Sequence, residues 1–154
     1  MAVYKIDGFG TRNQTDGSGF DANHSTRKKF VRLFASGTIT KGQAVAIDFA
    51  TSTNGLGNHV LPCAIGTENV SIAMGIAMGA ASAGDLVRVQ VQGINTIVSL
   101  DDLNDVVGQP LAAGAGAGEL TLSVVASLPV AILVAEGTAS THDSTVYLLN
   151  PLNL

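Results

Sequence analysis

From Leu86 to Gln92 the chain alternates, with Val87, Val89 and Val91 on one set of positions and Arg88, Gln90 and Gln92 on the other. A period of two predicts a half-buried strand with the valines on one face and the polar residues on the other. Ala83-Gly84-Asp85 opens this run with a turn signal, and Gly93 is expected to close it. Similar short runs recur on both sides. Phe30–Phe34, Gln43–Phe49 (Val45, Ile47 and Phe49 in phase), His59–Ala64 and Val70–Met78 precede it. Pro62 marks an edge or an end of its strand. In the last of these, Val70, Ile72, Met74, Ile76 and Met78 should share a face, opposite Ser, Ala and Gly where another surface can come close. Asn95–Val98, the Leu111 segment, Glu119–Ala126, Leu128–Ala135 and Ser144–Leu149 follow. Only Ser99–Val107 reads as a helix, of about two turns, with Ser99 as cap and acids in the first turn.

Three strand starts share one device. Lys41-Gly42-Gln43, Ala83-Gly84-Asp85 and Val107-Gly108-Gln109 each place Gly and then Gln or Asp ahead of an apolar run. The expected reason is a turn glycine followed by a side chain that can hydrogen-bond nearby backbone. The starts are unequally spaced, so they do not form a repeat array. The pattern as a whole predicts an all-β fold: one small barrel or sandwich of about eight or nine short strands, with at most one short helix.

Composition adds an N-terminal contrast. Residues 1–29 show no periodicity and interleave Gly8, Gly10, Gly17 and Gly19 with small polar residues, yet they hold Tyr4, Ile6, Phe9 and Phe20. This reads as an extended arm that orders on a partner, ahead of a β domain at 30–154. The arm carries five basic residues against three acidic ones, whereas the remainder carries three against nine. An acidic body with a mildly basic leader lacks the basic face that nucleic-acid binding needs. Charged residues are only 13% of the chain, which fits a surface covered by neighbours. A lone Cys63 offers no internal disulfide, and no apolar run reaches the length of a membrane span. The expectation is a soluble protein made in the cytoplasm, with no membrane partner.

Candidate chemistry is sparse. His59-x-x-x-Cys63 has no further ligand at metal-binding spacing, so a buried cysteine and a loop-end histidine are the better reading. His142-Asp143-Ser144 holds the residue types of a triad, but three consecutive residues cannot adopt its geometry. The Gly114–Gly118 run lacks the Lys-Ser/Thr of a phosphate loop. Asp101, Asp102 and Asp105 lack the spacing of a calcium loop and read as a solvated helix start. No catalytic residue, cofactor or metal site is expected, and an enzyme is disfavoured.

The segments Lys41-Gly42-Gln43-Ala44-Val45, Met74-Gly75-Ile76-Ala77 and Ser82–Gly93 resemble those of small capsid decoration (cement) proteins of tailed bacteriophages. The resemblance covers roughly residues 38–125. It implies a compact β domain, commonly a trimer, on the outside of the phage head, clamping neighbouring subunits of the major capsid protein. On that reading Tyr4, Ile6, Phe9 and Phe20 would fill pockets on the shell, and Arg12, Arg27, Lys28 and Lys29 would pair with its acidic residues. The alternatives are a tail-tube, head-fibre or tail-spike base module and a carbohydrate-binding module. The absence of Trp argues against the last of these.

Overall fold

A computed structural model of the chain describes residues 28–65, 72–101, 106–123, 128–137 and 144–149. Nine strands run in chain order: β1 Lys29–Ala35, β2 Ala44–Ile47, β3 His59–Pro62, β4 Gly75–Ala77, β5 Leu86–Val98, β6 Pro110–Ala113, β7 Leu120–Leu122, β8 Ala131–Ala135 and β9 Ser144–Leu149. They form one hydrogen-bonded sheet in the order β1-β3-β2-β4-β5-β9-β8-β6-β7. The expected barrel or sandwich is therefore corrected to a single nine-stranded sheet. One extra antiparallel ladder, β1–β5, links the first five strands into a circuit of pairings, while β9, β8, β6 and β7 extend from it.

Two apolar cores occupy opposite faces of the shared strands. The first takes Val45, Val60, Ala77, Val87, Val89 and Val91. The second takes Ala44, Ile76, Leu111, Leu120, Leu133 and Leu148, among others. Since neighbours along a strand point to opposite faces, β2 sends Val45 to one core and Ala44 and Ala46 to the other. Each fully buried Val or Leu contributes about 1.5–3 kcal/mol. The small residues expected opposite Ile76 do permit close approach. A Cβ added at Gly75 would lie 2.8 Å from Val89 Cγ1 and run into the Gln90 carbonyl of β5.

The three recurrent strand starts are one structure used three times. Gly42, Gly84 and Gly108 hold φ of 90°, 88° and 91°. Each is the third residue of a turn, closed by the backbone bonds Gln43 N to Thr40 O (3.3 Å), Asp85 N to Ser82 O (3.0 Å) and Gln109 N to Val106 O (3.0 Å). The following side chain then accepts from the same turn: Gln43 Oε1 from Thr40 N at 2.8 Å, Asp85 Oδ2 from Ser82 N at 3.0 Å and Gln109 Oε1 from Val106 N at 2.8 Å. β2, β5 and β6 begin at the next residue. Gly116-Ala117-Gly118-Glu119 repeats the turn before β7, with Gly118 at φ 82° and Glu119 N bonded to Gly116 O at 3.2 Å.

Several expectations are corrected. Gly93 does not end the central strand. It lies buried within β5 at φ 89°, opposite Leu148, and the strand runs on to Val98. Gln90 is not on a solvated face but fully buried. Its Nε2 donates to the carbonyls of Gln92 (3.1 Å) and Ile94 (3.0 Å), and its Oε1 accepts from Asn95 Nδ2 at 3.2 Å. Met74 and Ile76 do not share a face, because Met74 precedes β4 and turns into the first core while Ile76 enters the second. Phe49 is 57% exposed. β2 stops at Ile47, and Asp48 folds the chain over by accepting from Ala50 N at 2.8 Å and Thr51 N at 3.3 Å. No helix forms among the described residues. Ser99 and Leu100 are buried, and Leu100 bridges Leu120 in parallel. Asp102–Asp105, the middle of that expected helix, lie outside the described residues. Pro62 marks the end of β3, not an edge, since β3 lies between β1 and β2.

Candidate interaction surface

Cys63, His59 and Ser144 are held in structural roles. Cys63 is fully buried in the second core, and burial pushes its thiol up to about 12, so the nucleophilic thiolate is suppressed. His59 is buried at the start of β3. Its Nε2 donates to the Thr53 carbonyl, and its ring stacks on Phe34 with centroids 5.5 Å apart. Ser144 is buried in β9 and accepts from Gly137 N at 3.0 Å, whereas His142 and Asp143 lie outside the described residues. Among the described residues no group of three or more His, Cys, Asp or Glu is arranged to hold a metal ion.

Two carboxylates have shifted acidities. Asp48 accepts from Ser36 Oγ and Thr51 Oγ1, both at 2.6 Å, and these bonds hold its carboxyl below the usual range against the opposing effect of burial. Glu119 lies over Gly116 in the fourth turn. Its carboxyl is raised, first by burial and then by the charge and hydrogen bond of Asp101. The glycine loop is thus the β6–β7 turn. It packs on Gln43, whose Nε2 donates to the Ala117 carbonyl at 3.1 Å. A run of residues this small reads in the sequence as a loop or close-approach turn, and it is one; its kinship with the three strand starts is what the sequence reading does not single out. The signal was there, since Gly118-Glu119 precedes a strand as Gly42-Gln43 does.

Of the arm residues, Tyr4, Ile6, Phe9, Arg12, Phe20 and Arg27 lie outside the described residues. Lys28 is exposed immediately before β1, and Lys29 is exposed as the first residue of β1, opposite Gln92. From there a surface develops that the alternation alone did not single out. Val31, Leu33 and Ala35 turn to the first core, so Phe30, Arg32 and Phe34 take the other face of β1. Arg32 stands directly opposite Arg88, and Phe34 opposite Leu86. Both arginines are exposed, and Leu86 is 58% exposed. The Arg88 guanidinium sits 3.7 Å from the centre of the Phe30 ring.

No family model and no curated protein sequence matches the chain. Among solved structures, the head fiber gp8.5 N base of bacteriophage phi29 matches with a TM-score of 0.58 at 16% sequence identity, over 80% of this chain and 96% of that one. At that identity the likeness is one of fold. The described chain is folded like the N base of that phage head fiber.

Proposed function

We propose that this chain is a non-catalytic structural protein of a bacteriophage virion, with its β domain serving as a base seated on the outside of the head. The observation that carries this reading is the fold shared along nearly the whole of the head fiber base. The inert Cys63 and the stacked His59 fit it, because both are spent on packing. A head-fibre base is preferred to the cement clamp. The clamp keeps the support of the Gly42-Gln43 and Gly84-Asp85 strand starts, which other β proteins can equally use. In either form the partner is the major capsid protein, the protein self-associates as a trimer, and residues 1–29 serve as an anchor. In that anchor Tyr4, Ile6, Phe9 and Phe20 supply apolar contacts, and Arg12, Arg27, Lys28 and Lys29 pair with acids on the head.

Quantitative mass spectrometry of purified virions tests the proposal. A copy number well below that of the major capsid protein supports the fibre base, and a fixed ratio near one copy per capsid subunit supports the clamp. Absence from virions removes both. For the anchor, Tyr4→Ala/Phe9→Ala should weaken co-sedimentation with heads lacking the protein by about tenfold or more, at about 1–3 kcal/mol per lost anchor. Unchanged binding would exclude these residues from the contact.

A further inference from the structure

Arg32 and Arg88 are two of only three basic residues after position 29, in a body that carries nine acidic ones. They are nonetheless placed opposite each other on adjacent strands, where side chains begin about 5 Å apart and like charges destabilise the pair. Among the described residues neither forms an ion pair. Asp85, the nearest acid in sequence to Arg88, spends a carboxylate oxygen on Ser82 N in its own turn. The flanks are apolar: Phe30 lies under the Arg88 guanidinium, Phe34 is backed by the His59 ring, and Leu86 faces solvent. A guanidinium stacked on a ring keeps its N–H donors in its own plane, directed away from that ring and free for a planar carboxylate.

We propose that this β1–β5 face, built on Arg32 and Arg88 between Phe30, Phe34 and Leu86, is the surface by which the domain seats on an acidic, apolar-flanked patch of the phage head protein. The inference rests on the head-seating function above and supplies the surface of the folded body that carries it. The partner is a protein surface because two cations are too few to hold a phosphate backbone against a body of net negative charge, while arginine and aromatic residues in one cluster are the composition of interface anchors. Carboxylates approaching the pair would form charge-assisted forks and relieve the repulsion between the two arginines on binding.

The test uses the full-length chain and heads lacking it, with binding measured by co-sedimentation at rising salt. Arg32→Glu/Arg88→Glu should weaken binding at least about tenfold and reduce its salt dependence to that of the arm cations alone. Arg32→Lys/Arg88→Lys, which keeps the charge and loses the forks, should fall in between. Arg32→Glu alone places an acid opposite Arg88. It should raise the melting temperature yet weaken binding, a pairing of effects that a purely structural role does not produce. If the wild type binds and the double Glu variant binds equally well, this surface is wrong and the head-seating function stands. If the wild type does not bind heads at all, both fall. If duplex DNA displaces the wild type from heads and binds it through the same two arginines, the acidic-protein partner is overturned.

Discussion

Within β5, Val87, Val89 and Val91 face the first core, whereas Val98, seven residues further on, faces the second. The first half pairs with β1 in step from Leu86 to Gln90 and slips once beyond it, where the single step from Phe30 to Lys29 spans Gln90 to Gln92. The second half pairs with β9 and breaks phase, since Asn95 and Val98 stand opposite Val146 and Ser144, three steps against two. The extra residue is a bulge, held by Asn95 Oδ1 accepting from Ile97 N at 2.9 Å. Gly93 sits between the halves at positive φ. One strand thus serves two cores. The transition is sealed by Gln90, whose amide satisfies two carbonyls of the second half from a position in the first. Continuous hydrogen bonding along a strand therefore does not imply a single buried face.

The largest test of this comparison is Gly93→Val. A β-branched residue is strained at φ near 89°, and the position is buried, so stability should fall by about 2–3 kcal/mol or more. The shift in urea midpoint measures it. A loss under about 0.5 kcal/mol would mean that the halves can be joined without a glycine. Next comes Gln90→Leu, similar in volume but without the amide. It leaves the Gln92 and Ile94 carbonyls without that donor and should cost about 2 kcal/mol. Hydrogen exchange should then rise at Ile94–Val98 more than at Val87–Val91, and equal rises in both halves would remove the seal from the account.

Acid separates the two regions with the smallest effects. Asp48, beside the first five strands, has a lowered folded pKa. Its contribution is present above the ordinary carboxylate range and is lost as pH falls through that range toward the folded value. Glu119, on the second core's hairpin, has a raised pKa. The folded state therefore holds its proton more tightly than the unfolded chain, and that contribution is lost as pH rises through the folded value. Asp48→Asn should destabilise at pH 7 and much less at pH 3. Glu119→Gln should stabilise at pH 7 by less than about 1 kcal/mol and give no gain at pH 3. Thermal melts at the two pH values check both signs.

The repeated turns were legible in the sequence because their determinants are local. A glycine able to hold positive φ and a Gln or Asp one residue later lie within a four-residue turn, and no distant partner is needed. The valine face of β5 was legible for a similar reason, since alternation reports burial directly. The single nine-stranded sheet, the β1–β5 pairing and the change of core along β5 were not legible. Which strands meet depends on contacts between residues far apart in the chain, and a bulge or a positive-φ glycine inside a strand looks locally like its end. The Arg32–Arg88 face belongs to that second class. Arg88 reads by itself as a solvated residue of an alternating strand and Arg32 as the one charge in a mostly apolar run, and only the register of β1 on β5 sets the two charges side by side between aromatic neighbours.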